Sequence, residues 1–122
     1  MDKIELHPTV LVVEDEPLVR MLAVDYLERA GFAVLEADCA SDALKTLSEH
    51  HEVDVLFSDV NMPGMDGVEL ARRVHEQAPR VRVILTSGRD VPCKCIPGHG
   101  TFLPKPYFES EVTQLVHAAL AA

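Results

Sequence analysis

The sequence predicts an α/β fold of the doubly wound class, in which helices cover both faces of a parallel sheet. Short apolar runs rich in β-branched residues alternate along the chain with segments whose apolar residues recur at helical spacing. Glycine, proline and polar residues separate these segments. Such alternation implies right-handed crossovers onto a sheet of five parallel strands. A length of 122 residues suits one domain over residues 1–122, with residues 1–7 as a flexible tail.

The first strand is predicted at residues 9–13, and the first helix is predicted to begin at Pro17. The run TVLVV is continuously apolar, as expected for a strand that is buried on both faces. Proline suits the first turn of a helix, and Gly31 is a typical stop after the last turn. The apolar face of this helix is predicted to comprise Val19, Leu22, Ala23, Tyr26 and Leu27.

The second strand and helix are predicted at residues 32–37 and from Ser41 onward. Ser41 is expected to cap the helix, because a serine hydroxyl can accept a hydrogen bond from a free backbone amide of the first turn. The residues that this helix is expected to bury are Ala43, Leu44 and Leu47.

The third unit consists of a strand at residues 53–58 and a helix that ends at about Gln77. The turn-rich run MPGMDG at residues 62–67 separates the two elements. The predicted buried face of the helix contains Leu70, Ala71 and Val74.

The last two strands are predicted at residues 81–87 and about 101–103, and the last helix near Glu109. Its apolar face is predicted to contain Val112, Leu115, Val116, Ala119 and Leu120. A helix is expected between the two strands, yet residues 88–100 contain Pro92, Pro97 and several glycines without helical periodicity. We therefore predict that the fourth helix of the alternation is shortened or missing.

Charge and hydropathy argue against two classes of function. The formal charge is -9 and no cluster of Lys and Arg lines a predicted helix, so direct nucleic-acid binding is not expected. No apolar stretch is long enough to cross a bilayer, and no signal-peptide pattern opens the chain. We therefore expect a cytoplasmic protein that does not bind membranes.

Polar residues with complementary chemistry follow several of the predicted strands. Glu14 and Asp15 follow the first strand, Asp59 the third and Ser87 the fourth, and Lys105 lies at the end of the fifth. In open α/β sheets, ligands bind beyond the carboxyl ends of the strands, so these groups should share one crevice. Clustered carboxylates suit Mg²⁺ (or Mn²⁺), and a lysine and a hydroxyl suit the oxygens of a phosphoryl group.

Four motifs in this order resemble the receiver domain of two-component response regulators. They are VVEDE at residues 12–16, SDVNMPGMDG at 58–67, LTSG at 85–88 and LPKP at 103–106. The second motif is the most specific, and together they span nearly the whole chain. The resemblance implies a flavodoxin-like, three-layer α/β/α fold with a five-stranded parallel sheet in the order 2-1-3-4-5.

The resemblance also implies which residues carry the chemistry. Asp59 would be the phosphoacceptor and a metal ligand, Asp15 a second ligand, and Asn61 a ligand through its backbone carbonyl. Glu14 would contact the metal from the second shell or through water. Lys105 would pair with the phosphate, and its bond to Pro106 is expected to be cis.

The resemblance assigns two residues to a conformational switch. Phe102 matches the switch aromatic. The switch hydroxyl is either Ser87 or the adjacent Thr86, and the spacing from Asp59, with the small Gly88 next, favours Ser87.

The expected function is that of a signalling module rather than an enzyme. Asp59 would accept a phosphoryl group from a sensor histidine kinase or a histidine phosphotransfer protein, and the change in charge would favour binding of a downstream protein. The alternative is a Mg²⁺-dependent phosphohydrolase that forms an aspartyl-phosphate. Such enzymes carry a second Asp two residues after the nucleophile, where this chain has Asn61, so turnover of external substrates is not expected. The sequence leaves open whether the domain stands alone or is part of a larger regulator or hybrid kinase.

Overall fold

Strands and helices alternate along the parts of the chain that the computed structural model describes, which are residues 7–89, 96 and 100–121. In chain order the elements are β1 (Thr9–Val13), α1 (Pro17–Arg29), β2 (Ala33–Ala37), α2 (Ala40–Glu49), β3 (Val53–Asp59), α3 (Gly67–Gln77), β4 (Arg82–Ser87), β5 (Gly100–Pro104) and α4 (Glu109–Ala121). Every predicted element within the described residues is therefore present, with bounds within a few residues of those expected. No helix in these residues is long and apolar enough to cross a membrane.

The five strands form one parallel sheet in the order β2-β1-β3-β4-β5, which confirms the predicted flavodoxin-like topology. Successive residues of a strand point to opposite faces, so the apolar strands supply two cores. On one face, Leu11 and Val13 pack with residues of α2 and α3. On the other face, Val10 and Val12 pack with residues of α1 and α4. The arrangement is the expected three-layer α/β/α sandwich.

Two local predictions are wrong. Ser41 does not cap α2, because the helix begins at Ala40, which is buried, and Cys39 occupies the cap position without a side-chain hydrogen bond to the helix. Leu22 does not belong to the buried face of α1, since its side chain is 52% exposed. The sheet and α4 cover only a narrow stripe of α1, in which Ala23 and Leu27 are the buried residues.

Two other predictions fall largely on residues outside those described. The flexible tail concerns residues 1–7, of which only His7 is described. The shortened fourth helix concerns residues 88–100, of which 90–95 and 97–99 are not described. Ile96 packs against the core on the α2 and α3 face. Both expectations stay predictions.

Candidate functional site

Three carboxylates meet at the carboxyl end of the sheet, as predicted from their positions after the strands. Glu14 and Asp15 directly follow β1, and Asp59 is the last residue of β3. One carboxylate oxygen of each lies within 4.8 Å of the others. Glu14 and Asp59 are only 3% and 5% exposed. The sheet therefore holds two acids almost out of solvent, with a third beside them.

Hydrogen bonds from neighbouring elements fix the loop that carries Glu14. Its backbone amide donates to Ala37 O at 3.1 Å, which continues the pairing of β1 with β2. Arg20 on α1 reaches back to donate from Nη1 to Glu14 O at 2.8 Å, and its Nε donates to Glu36 Oε1 at 3.2 Å. The loop is therefore tied to both the sheet and the first helix, which gives the carboxylates a defined position.

Lys105 supplies the positive charge of the cluster from the end of β5. Its Nζ lies 2.7 Å from Glu14 Oε1 and 3.4 Å from Asp59 Oδ1. Its backbone amide donates to Ser87 O at 2.9 Å, and the Lys105–Pro106 peptide bond is cis, as expected. Burial alone would lower the pKa of Lys105, but the hydrogen bond to Glu14 and the charge of Asp59 outweigh it, so the pKa is raised and the amine stays charged.

The pKa values of the two buried acids are raised despite the nearby lysine. Burial raises the pKa of Asp59, an effect that Lys105 opposes and Asp15 reinforces. Burial also raises the pKa of Glu14, although hydrogen bonds from Lys105 and from the Glu16 amide lower it. Three acids around one ammonium therefore leave a site where an added cation is favourable.

The donor set fits the predicted divalent metal. Asp15 and Asp59 offer hard carboxylate oxygens, and Asn61, two residues after Asp59, carries the backbone carbonyl predicted as a further ligand. This set matches the few protein oxygens that Mg²⁺ or Mn²⁺ takes. Both oxygens of Glu14 already accept hydrogen bonds, one from Lys105 and one from the Glu16 amide. Glu14 is therefore suited to the second-shell or water-mediated role that was predicted for it.

The two candidate switch hydroxyls differ in their partners. Ser87 Oγ accepts hydrogen bonds from Asn61 Nδ2 at 2.7 Å and from the Arg89 amide at 3.0 Å. Thr86 lies beside Asp59 in the strand register, and its buried hydroxyl has no hydrogen-bond partner among the described residues. Thr86 and Ser87 thus both lie on the strand that pairs with the end of β3, but among the described residues only the Ser87 hydroxyl has a hydrogen bond to Asn61, two residues after Asp59.

Phe102, the predicted switch aromatic, is half-buried. It pairs with Leu85 in the strand register and packs at the edge of the core on the α2 and α3 face.

Two residues near the site were not identified from the sequence. A Cβ on Gly67 would lie 2.2 Å from the carbonyl oxygen of Asp59, so only glycine allows α3 to begin this close to the end of β3. The ring of Tyr107 contacts Phe57 edge to face at 5.7 Å, and its pKa is raised by burial and by the charges of Glu14 and Asp59. The Asp-Gly turn was visible in the sequence, but the close backbone approach was not.

The carboxylates open onto a cleft of about 450 Å³, whose walls include Glu16, Asp59, Asn61, Arg89 and Lys105. A second cavity of about 390 Å³ shares Val19, Gly88 and Lys105 with this cleft. It is lined mainly by apolar side chains, among them Leu22 and Tyr107. Asp59 is therefore reached from a cleft that has both acidic and basic side chains and that adjoins an apolar cavity.

Comparisons with known proteins agree on one family. The model of the response regulator receiver domain matches residues 10–117. The sensor kinase CckA of Brucella abortus (strain 2308) is 38% identical over 117 residues, which are 92% of this chain and 12% of the kinase. The C4-dicarboxylate transport transcriptional regulatory protein DctD of Pseudomonas aeruginosa is 36% identical over 115 residues, which are 91% of this chain and 25% of the regulator. The chain thus spans a quarter or less of the length of these two relatives.

A solved structure extends the similarity to three dimensions. The crystal structure of the receiver domain from the hybrid histidine kinase CckA matches with a TM-score of 0.79 at 33% identity, covering 92% of this chain and 98% of that one.

Proposed function

Because the chain belongs to the response regulator receiver domain family, we propose that it accepts a phosphoryl group on Asp59 in a Mg²⁺-dependent reaction. The donor is a phosphohistidine of a sensor histidine kinase or a histidine phosphotransfer protein. Phosphorylation shifts the domain to a conformation that binds a downstream protein. The observation that carries this proposal is the meeting of Glu14, Asp15, Asp59 and Lys105 at one end of the sheet.

The geometry suits transfer by positioning and charge neutralisation. A carboxylate oxygen of Asp59 attacks phosphorus, the phosphorus–nitrogen bond to the donor imidazole breaks, and the products are an acyl phosphate and a histidine. Lys105 lies 3.4 Å from Asp59 and can pair with a phosphoryl oxygen. A bound Mg²⁺ would offset the combined charge of the carboxylates and the phosphoryl oxygens.

The neighbours of Asp59 favour a signalling module over the phosphohydrolase alternative. Asn61 stands where such an enzyme needs a general acid or base, and its amide donates a hydrogen bond to Ser87. An amide does not exchange a proton with a leaving group near neutral pH, so nothing at this position supports rapid turnover of external substrates. The domain therefore catalyses only its own phosphorylation and dephosphorylation.

An apolar surface beside the cleft supports a protein partner. On α1, Leu18, Met21 and Leu22 are 75%, 64% and 52% exposed, and Phe108 before α4 is 75% exposed. Leu18, Met21 and Leu22 are spaced to share one face of α1, and large apolar side chains that share a face mark interaction sites more often than isolated ones do. We propose that the surface of α1 and the start of α4 contacts partner proteins, and that these meet the domain in the cytoplasm.

Intact-mass measurement after incubation with acetyl phosphate and Mg²⁺ tests the proposal. We expect the wild-type protein to gain one phosphoryl group and the Asp59→Asn variant to gain none at a comparable rate. Chelation of Mg²⁺ should prevent the modification of the wild-type protein. Modification of Asp59→Asn at the wild-type rate would show that another residue is the acceptor.

A further inference from the structure

The hydrogen bond between Asn61 and Ser87 joins the two segments that flank Asp59. Asn61 lies two residues after Asp59, and Ser87 ends the neighbouring strand β4. The distance from Asn61 Nδ2 to Ser87 Oγ is 2.7 Å, which is short for a neutral amide donor. The contact spans 26 residues of sequence, so it exists only because the sheet brings β3 and β4 together.

The acceptor capacity of the Ser87 hydroxyl is fully used. A hydroxyl oxygen has two lone pairs, and here one accepts from the Asn61 amide and the other from the Arg89 backbone amide. Together these two hydrogen bonds fix the position of Ser87 Oγ. Ser87 is 1% exposed, whereas Asn61 forms part of the cleft wall beside Asp59. The hydroxyl therefore lies behind the Asn61 amide as seen from the cleft.

From this arrangement we infer that Asn61 is a positioning residue that holds the Ser87 hydroxyl in its unphosphorylated orientation. The inference rests on the proposed function, because it assumes that the hydroxyl moves toward a phosphoryl group on Asp59. To donate its proton to that group, Ser87 Oγ must leave the amide of Asn61. The Asn61–Ser87 bond therefore opposes the activated conformation, and its strength sets part of the equilibrium between the two states.

The opposite arrangement would have Asn61 orient Ser87 toward the phosphoryl group. The two arrangements predict opposite effects of removing the Asn61 amide on the population of the activated state. If the bond opposes activation, removing the amide favours the activated state by the net value of one neutral hydrogen bond, which corresponds to a factor of about 5. If the bond prepares activation, the same removal disfavours that state. The backbone carbonyl of Asn61, the predicted metal ligand, is present in every variant.

Beryllium fluoride, which mimics a phosphoryl group on a carboxylate, provides the test. Its affinity is measured at saturating Mg²⁺ from backbone amide NMR shifts in four proteins, namely wild type, Asn61→Ala, Ser87→Ala and the double variant. We expect Asn61→Ala to bind beryllium fluoride about fivefold more tightly than wild type. In the Ser87→Ala background the same substitution should have no effect, because there is no hydroxyl to release.

One further background helps to separate the possible outcomes. The Thr86→Val background should retain the full effect of Asn61→Ala, since the Thr86 hydroxyl has no hydrogen-bond partner among the described residues. Weaker binding by Asn61→Ala, or an effect of equal size with and without Ser87, would overturn the role assigned to Asn61. Failure of the wild-type protein to bind beryllium fluoride at all would instead contradict the proposed function. Because Ser87 still accepts from Arg89 in Asn61→Ala, the variant should fold normally.

Discussion

The carboxyl end of the sheet buries its charged residues, whereas the amino end leaves them in contact with solvent. At the carboxyl end, burial raises the pKa values of Glu14 and Asp59. At the amino end, the pKa of the exposed Glu52 is lowered, first by a hydrogen bond from its own backbone amide and then by His50. The two ends share one sheet but differ in what their charges contribute to folding.

This difference predicts at which end ionised carboxylates cost stability and at which end they contribute to it. A carboxyl whose pKa is raised in the folded state costs stability when ionised, and the cost appears as the pH rises through the interval between its unfolded and folded values. A carboxyl whose pKa is lowered stabilises the fold, and that contribution is lost as the pH falls through the folded value. Substitutions at the carboxyl end should therefore separate stability from activity, and those at the amino end should not.

The largest effect on stability is expected from Gly67→Ala. The added Cβ would meet the backbone of Asp59 and Val60 at 2.2 to 2.9 Å, so β3 or α3 must shift. Such overpacking costs about 1 to 3 kcal/mol, more than the gain in helix propensity. Urea unfolding of Gly67→Ala should show this loss, and phosphorylation should slow. Gly88→Ala is the matched control, since its Cβ has no heavy atom within 4 Å, and equal losses in both variants would contradict the steric explanation.

Gly67 also shows where sequence reasoning reaches its limit. Periodicity and turn residues predicted the strands and helices and placed Asp15, Asp59 and Lys105 at one edge, because these features depend on local pattern and parallel topology. They did not predict which partner a side chain contacts. Lys105 lies nearer to Glu14 than to Asp59, and Leu22 is exposed, because such details depend on how elements pack in three dimensions.

Asp59→Asn should stabilise the protein in the absence of metal. The neutral amide removes a buried charge whose pKa is raised, and Lys105 keeps its closer partner Glu14. We expect the free energy of unfolding at pH 7 to rise by about 0.5 to 2 kcal/mol, the size common for single stabilising substitutions. The gain should shrink as the pH falls and Asp59 of the wild-type protein becomes protonated. Urea unfolding from pH 4 to 7 measures it, and a destabilised variant at pH 7 would contradict this account of the cluster.

The stabilisation by Mg²⁺ should depend on Asp15. A ligand at ten times its Kd stabilises the fold by about 1.4 kcal/mol if it binds only the folded state. Asp15→Ala should lose this gain in thermal unfolding with and without Mg²⁺. Asp42→Ala is a matched control, because Asp42 lies in a separate, more exposed group with Asp38 and Cys39. If Asp42→Ala loses the Mg²⁺ effect and Asp15→Ala keeps it, the ion binds at the wrong cluster for the proposed chemistry.

The smallest effect is expected at the amino end, from Arg80→Ala. Arg80 is exposed, and its Nη1 donates to the carbonyl oxygen of Val53 at 3.0 Å, where β3 begins. One partly exposed hydrogen bond contributes about 0.5 to 1.5 kcal/mol to the free energy of unfolding. This hydrogen bond lies at the opposite end of the sheet from Asp59. We expect a small decrease in the free energy of unfolding and a rate of phosphorylation by acetyl phosphate within twofold of wild type. A large loss of phosphorylation in a variant that remains folded would show that the two ends of the sheet are coupled, and the contrast between them would then not hold.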